Sequence, residues 1–128
     1  MRIFSFGIKK RTPDQALSRL GLPTLNTTII NATYLPNPFS VMDLRGKNGL
    51  DPEVIEWLEQ SPETAKFLNK QVVAVSSRKP AAIGVFCVGG HHRSVYVVEQ
   101  LHKRLRKLGV TNITTTHMEL GESSCTHL

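Results

Sequence analysis

The segment from Gly84 to Ser94 constrains the fold most, because it joins an apolar stretch to an amphipathic one through a glycine-rich loop. Residues 81–86 are apolar and predict a strand that is buried on both faces. Apolar residues then recur at helical spacing from Val95 to Leu108. The loop is therefore expected between the carboxyl end of a strand and the amino end of a helix, where open α/β sheets bind their ligands.

The composition of this loop favours an oxyanion as ligand. A helix N-terminus presents unpaired N–H groups and a partial positive charge from the helix dipole. Gly89 and Gly90 allow the backbone to approach a ligand, and Arg93 has a planar guanidinium that can bind two oxygens. We predict that the amides from Gly89 to Ser94, the guanidinium and the Ser94 hydroxyl surround a phosphate. A tight turn followed by a surface arginine is the alternative.

Strands and helices alternate along the chain. Three helices are expected to begin where a capping residue precedes a proline, as in Thr12-Pro13. Strands joined by helical crossovers predict an α/β fold with three layers, in which a mainly parallel sheet has helices on both faces and residues 1–128 form a single domain. The predicted elements are strand 2–6, helix 12–20, strand 27–32, helices 51–59 and 61–74, strand 81–86, a helix ending at Gly109, and strand 110–116.

Charge and hydropathy indicate which partners and which cell compartment to expect for this chain. Sixteen Lys and Arg against ten Asp and Glu give a net charge of +6, which favours polyanionic partners such as RNA. The basic cluster at 102–107 is equally typical of a solvated helix end. No apolar run approaches the roughly 20 residues of a membrane helix, and the first residues lack the apolar region of a signal peptide. We expect a cytoplasmic protein with no membrane partner and with Cys87 and Cys125 as reduced thiols.

Four motifs, in order along the chain, resemble the RapZ C-terminal domain of the bacterial RNase adapter family. They are Ser5-Phe-Gly, Tyr34-Leu-Pro-Asn-Pro, Leu44-Arg-x-x-x-Gly-Leu-Asp51 and Cys87-x-Gly-Gly-x-His-Arg-Ser-Val-Tyr-x-x-Glu-Gln100. The resemblance covers nearly the whole chain and implies an α/β domain with a sugar-phosphate pocket. In full-length adapters such a domain senses glucosamine-6-phosphate and helps to present a small RNA to an endonuclease. The P-loop signature Gly-x-x-x-x-Gly-Lys-Ser/Thr of the family's amino-terminal domain does not occur, so nucleotide binding is not carried over.

The matching motifs supply candidate ligand contacts. The Asn37 amide lies between two prolines and could meet a sugar hydroxyl, whereas Arg45 belongs to a loop that could fold over the site. We interpret Asp51 as a helix N-cap. His92 either binds the ligand or fixes the loop against a carbonyl, and both readings stay open. The candidate set is Ser5, Gly7, Asn37, Arg45, Val88, Gly89, Gly90, His91, His92, Arg93 and Ser94.

Several residues depart from the family pattern. Val88 and Asn48 replace threonines, Phe39 replaces a histidine, and Asn31 and Thr33 replace an acid and an arginine. The phosphate site is therefore expected without a specified sugar. The tail 117–128 contains no Lys or Arg, which weakens the prediction of RNA binding. Its two histidines and Cys125 match no zinc spacing, so we expect a frayed terminus, no metal and no cofactor.

Three functions are compatible with these observations. The leading hypothesis is a non-catalytic domain that binds a phospho-metabolite resembling glucosamine-6-phosphate and acts as a sensor or adapter for a protein partner, with homo-oligomers left open. The second is a Cys-x5-Arg phosphatase, in which the Cys87 thiolate attacks phosphorus, Arg93 binds the equatorial oxygens and Asp43 is the candidate acid. The third is an RNA-binding module. The sequence leans away from an enzyme, because Phe86 stands where one large phosphatase group commonly has a histidine and no Asp lies in an obvious general-acid loop. The Cys-x5-Arg spacing also occurs in the RapZ-type loop, so it does not discriminate between the hypotheses.

Overall fold

Four parallel strands form the centre of the computed structural model, which describes residues 1–121. They are β1 (Arg2–Gly7), β2 (Thr27–Asn31), β3 (Ala82–Cys87) and β4 (Thr114–His117). Their order across the sheet is β2-β3-β1-β4, and every neighbouring pair is parallel. The predicted parallel α/β sheet is confirmed.

The strand order places a crevice at one edge of the sheet. Strands β1 and β3 are neighbours at the centre, with Gly7 paired to Cys87 at their carboxyl ends. The chain leaves β1 towards β2 on one side and leaves β3 towards β4 on the other. At such a switch point the two connections pass over opposite faces of the sheet, which leaves a gap outside the carboxyl ends of the two strands.

Four helices cover the two faces of the sheet: α1 (Pro13–Leu20), α2 (Pro52–Glu59), α3 (Pro62–Arg78) and α4 (Arg93–Lys107). On one face, α1 packs on the Phe4 and Phe6 side chains through Ala16 and Leu17. On the other, α2, α3 and α4 share a larger core with β-strand residues such as Ile3 and Val85. The three predicted layers are thereby confirmed.

The predicted helix starts are confirmed, but neither Asp51 nor Ser61 caps its helix with its side chain. Thr12 and Gln15 form a reciprocal capping box at the start of α1. Asp51 lies at the N-cap position of α2, yet its side chain makes no bond to the helix. Its carboxylate instead accepts a hydrogen bond from the Asn48 amide at 2.8 Å. Asp51 therefore stabilises the preceding loop. Helix α3 also continues past the predicted end at Ala74, because Val75 is buried in the larger core.

The last predicted strand and the predicted frayed tail both need correction. Strand β4 begins at Thr114, because the Val110 amide still bonds to Leu105 at the end of α4. His117, predicted to lie in the tail, ends β4 and is only 1% exposed. Residues 117–120 are therefore buried or partly buried against the body of the protein. Cys125 and His127 lie outside the described residues.

Three short 3-10 turns link β2 to α2: Ala32–Tyr34, Pro38–Ser40 and Met42–Leu44. This segment, predicted as an irregular loop, runs along the edge where the crevice opens. Within residues 1–121, no helix has the length and apolar character needed to cross a membrane.

Candidate anion-binding site

A cavity of about 680 Å³ opens at the carboxyl ends of β1 and β3, beside the first turn of α4. It is in the size range of small-molecule sites. Eight residues proposed from the sequence line it: Asn37, Arg45, Cys87, Val88, Gly89, His91, His92 and Arg93. The glycine-rich loop and the 3-10 segment thus meet at one site.

The first turn of α4 supplies backbone donors to this cavity. His92 occupies the N-cap position but makes no side-chain bond to the helix. The first N–H groups of a helix have no partner within the helix, so they remain available here. Within residues 1–121, the amides of Gly89, Gly90, His91 and His92 donate no hydrogen bond to another group of the chain either. An anion at this point would meet several aligned donors and the positive end of the helix dipole.

Two glycines let the end of β1 touch the loop directly. A Cβ on Gly7 would lie 2.6 Å from the carbonyl carbon of Gly89, and a Cβ on Gly90 would lie 2.6 Å from the Gly7 amide. Gly90 also has a φ of +79°, which favours glycine. Neither residue lines the cavity. Both were predicted as ligand contacts, but their role is to allow the backbone packing that shapes the site.

Arg93 binds the protein backbone as well as bordering the cavity. Its side chain is 6% exposed, and one terminal nitrogen donates to the carbonyls of Thr33 and Leu35 at 2.9 and 3.1 Å. Its Nε is buried without a partner in the described part of the chain. Arg93 therefore holds residues 33–35 in place. Because one terminal nitrogen is engaged by these carbonyls, only the other N–H groups of the guanidinium could bind a phosphate.

Two hydroxyls predicted as ligand contacts point elsewhere. Ser94 Oγ lies 3.2 Å from the Cys87 thiol, and both side chains are buried. Ser5 Oγ lies 2.7 Å from His117 Nδ1, which connects onward through Nε2 to the Glu99 carboxylate at 2.8 Å. Neither serine lines the cavity, because each extends from its backbone into the core.

His92 pins the loop. Its Nε2 lies 3.2 Å from the Leu44 carbonyl, to which the neutral ring can donate. Burial lowers the pKa of His92 below its ordinary 6.5, and the neighbouring His91 and Arg93 add to this effect. The ring therefore stays neutral at pH 7 and ties α4 to the loop after Leu44. The ring also borders the cavity. Its contact with the Leu44 carbonyl agrees with the anchoring alternative, and ligand binding by His92 stays a prediction.

The segment over the cavity is held by its own hydrogen bonds. Asn37 Oδ1 accepts from the Phe39 amide at 3.1 Å, which makes it a turn former. Arg45 Nε donates to the Phe39 carbonyl at 2.8 Å, and its guanidinium carbon lies 4.9 Å from the centre of the Phe39 ring. Gly49 packs against the His92 carbonyl, where a Cβ would come within 2.4 Å. The loop is thereby fixed on the first turn of α4.

Sequence reasoning missed part of the lining. Lys9 and Lys47 add cationic groups, so four lining side chains are cations at neutral pH and Glu119 is the one acid among the described lining residues. Glu119 is neutralised by Arg11, with two contacts of 2.9 Å, and accepts from the Gly7 amide at 3.1 Å. A parallel sheet places the residues after β1 and β4 at one edge, and this signal could have located Lys9 and Glu119. The missed residues are Lys9, Phe39, Gly46, Lys47, Asn48, Glu119 and Leu120.

The two groups of the alternative phosphatase prediction lie differently relative to the cavity. Cys87 borders it but is 2% exposed. Asp43, the candidate acid, is exposed on the Met42–Leu44 turn and does not line the cavity. Among the described residues, no group of three His, Cys, Asp or Glu side chains is placed to hold a metal ion. The arrangement is suited to holding an anion by hydrogen bonds and charge.

Comparison with known proteins shows a consistent similarity over nearly the whole chain. The family model of the RapZ C-terminal domain matches residues 1–121. A nucleotide-binding protein of Arthrobacter sp. (strain FB24) is 32% identical over 130 residues, covering 94% of this chain and 39% of its own length. Nucleotide-binding proteins of Thermotoga petrophila and Pseudomonas fluorescens are each 34% identical, covering 88% and 91% of this chain and 40% of their own length. The chain thus spans about two fifths of these relatives.

Proposed function

This chain belongs to the RapZ C-terminal domain family, and we propose that it binds a phosphorylated metabolite without transforming it. The observation that carries the proposal is the uncapped first turn of α4, which opens into a cavity with four cationic side chains. Backbone amides and a helix dipole favour a compact anion such as a phosphate group. Arg93 also lines the cavity, and its guanidinium adds positive charge beside them.

The surrounding charges support the same ligand class. Lys9 is exposed at the cavity rim, and Lys47 makes only a 3.5 Å contact with the exposed Glu53. Glu119 does not oppose an anion strongly, because Arg11 neutralises its carboxylate. The local field is therefore positive, and it raises the concentration of anionic ligands at the mouth of the cavity.

The biological role of binding is proposed to be that of a sensor or adapter that signals to a protein partner. Glucosamine-6-phosphate is the candidate that the family resemblance suggests. The relatives are named nucleotide-binding proteins, and that name applies to chains of which this one matches about two fifths. Such signalling requires that the ligand is retained unchanged, and Asp43, the candidate acid, does not line the cavity.

Calorimetry with inorganic phosphate, glucosamine-6-phosphate and glucosamine tests the proposal. Both phosphates should bind and glucosamine should not. Lys9→Gln should weaken phosphate binding by about fivefold, since a charge-assisted contact contributes on the order of 1 kcal/mol or more. Lys10→Gln is the matched control, because Lys10 is equally exposed but does not line the cavity. Absence of heat with both phosphates, or equal losses in the two variants, would refute the proposal.

A cysteine-dependent phosphatase is the second candidate, favoured by the contact between Cys87 and Ser94 at the base of the cavity. A hydroxyl at 3.2 Å can stabilise a thiolate. The remote position of Asp43 weighs against it, as does the engagement of Arg93 by two backbone carbonyls. Turnover of an aryl phosphate by wild type, abolished in Cys87→Ser with phosphate binding retained, would establish this activity. Purified protein without such turnover would eliminate it.

An RNA-binding module is the third candidate. Lys103, Arg104 and Lys107 lie on the outer side of α4, and Arg104 is bonded to Asn69 at 2.6 Å. A binding surface built on these cations predicts an affinity that falls steeply with salt. Gel shifts at two salt concentrations, with Lys103→Gln and Lys107→Gln as variants, would separate this activity from phosphate binding at the cavity.

A further inference from the structure

Phe39 is an unusual residue for the rim of a polar site. Its side chain is 54% exposed, and it lines the cavity that holds the proposed phosphate position. An exposed aromatic ring contributes nothing to the core of the protein. Its position at a ligand cavity is explained if a ligand covers it.

The ring is held in a defined orientation. The amide of Phe39 is bonded to Asn37 and its carbonyl to Arg45, so the backbone is fixed on both sides. The Arg45 guanidinium lies 4.9 Å from the ring centre, in the range of a cation–π contact. The ring is thus prepared before a ligand arrives, which reduces the entropy lost on binding.

Apolar character continues beside the ring. Val88, which is 41% exposed, and Leu120 also line the cavity. The amide oxygens of Asn37 and Asn48 are already engaged by the Phe39 and Leu50 amides. Among the described residues, the NH2 groups of both carboxamides remain available as donors for the polar part of a ligand, whereas the side chains of Phe39, Val88 and Leu120 offer a sugar hydroxyl no partner. The wall is better matched to a flat, weakly polar ring.

We propose that the ligand carries a flat ring joined to its phosphate, as in a nucleoside monophosphate, and that the ring stacks on Phe39. This inference rests on the proposed phosphate site and names the chemical class of its ligand. A cavity of about 680 Å³ is large for a phosphate alone and accommodates a nucleoside monophosphate. The site differs from a P-loop in sequence, because the loop before α4 lacks the Gly-x-x-x-x-Gly-Lys-Ser/Thr signature and its lysine.

Titration calorimetry with four probes tests this inference: adenosine 5′-monophosphate, phenyl phosphate, ribose 5-phosphate and inorganic phosphate. Stacking of a base on an aromatic side chain contributes on the order of 1–3 kcal/mol, so adenosine 5′-monophosphate should bind about tenfold more tightly than ribose 5-phosphate. Phe39→Ala should remove this preference, so that the two ligands bind with equal affinity in the variant. Phe39→Leu is the matched control that keeps apolar volume and loses the flat ring, and it should behave as Phe39→Ala does.

The outcomes separate this inference from the proposed function. Tighter binding of phenyl phosphate than of inorganic phosphate, if Phe39→Ala also removes this difference, would support stacking by a smaller ring. Ribose 5-phosphate binding as tightly as adenosine 5′-monophosphate would overturn stacking and leave the phosphate site intact. A preference that survives in Phe39→Ala would overturn it as well. If none of the four probes binds, the proposed function fails, and this inference fails with it.

Discussion

At the scale of single residues, the glycines at the end of β1 and in the loop determine whether the site can form. Gly7 and Gly90 bring two backbones into direct contact, and the positive φ of Gly90 excludes a relaxed side chain. The loop can therefore pack directly against the end of β1, beside the cavity.

Gly90→Ala is predicted to destabilise the protein by about 2 kcal/mol or more, because the new Cβ would clash with the Gly7 amide in a strained backbone conformation. Urea unfolding gives the free energy. Gly46→Ala is the control, since a Cβ there meets nothing within 4 Å. Equal stability of Gly90→Ala and Gly46→Ala would contradict this account of the loop.

His92 makes stability depend on pH. Its folded pKa lies below the ordinary 6.5, chiefly because burial disfavours the charged ring, so the unfolded state binds the proton more readily. The stability is fully present above about pH 6.5 and is lost as pH falls through the folded pKa. The free energy of unfolding should therefore decrease between pH 6.5 and 5 in wild type.

His92→Gln keeps a donor for the Leu44 carbonyl but does not titrate. Its unfolding free energy should vary less between pH 6.5 and 5 than that of wild type, as followed by urea unfolding at each pH. His102→Gln, on the part of α4 remote from the cavity, should retain the wild-type slope. A wild-type slope in His92→Gln would contradict the assignment.

At the scale of elements, a chain of hydrogen bonds joins β1, β4 and α4. The Glu99 carboxylate can only accept, so His117 Nε2 donates to it and Nδ1 accepts from the Ser5 hydroxyl in the neutral ring. The bond to His117 is also the main cause of the lowered pKa of Glu99. Three elements at the edge of the sheet are thereby held together away from the ligand.

Ser5→Ala is predicted to cost about 1–3 kcal/mol in unfolding free energy, because buried His117 Nδ1 would lose its donor. Ser18→Ala, on the exposed side of α1, should change stability by less than about 0.5 kcal/mol. Phosphate affinity should be preserved in Ser5→Ala, since Ser5 does not line the cavity. A large loss of affinity with unchanged stability would restore Ser5 as a ligand contact.

The sequence predicted elements better than contacts. Proline-marked helix starts and apolar strands gave the order and the parallel sheet, because those signals are local. The side-chain hydrogen bonds of Ser5 and Arg93 are made with residues distant in the chain, such as His117 and Thr33. No local sequence pattern reveals such partners, and the same is true of Ser94. The tail was misjudged for the same reason: the packing of Glu119 depends on Arg11.

At the scale of the whole molecule, a positive cavity in a chain of net charge +6 predicts that phosphate stabilises the fold beyond a salt effect. A ligand at ten times its Kd adds about 1.4 kcal/mol, which corresponds to roughly 5 °C in Tm for a domain of this size. Thermal unfolding in phosphate and in chloride at equal ionic strength measures the difference. Equal Tm values would contradict specific binding, and Lys9→Gln should reduce the gap.

The helices on the two faces of the sheet pack on cores of different size, so their local unfolding is expected to differ in free energy. Helix α1 contributes two residues to a cluster of four buried residues, whereas α4 is embedded in the larger core. Hydrogen–deuterium exchange should therefore reach the amides of α1 before those of α4, since local opening follows the smaller packed unit. Lys9 precedes α1, and its amide donates to the Val88 carbonyl at 3.1 Å, so it stays beside the cavity when α1 opens. The donors of α4 also remain in place, and the anion site is therefore expected to outlast this fluctuation.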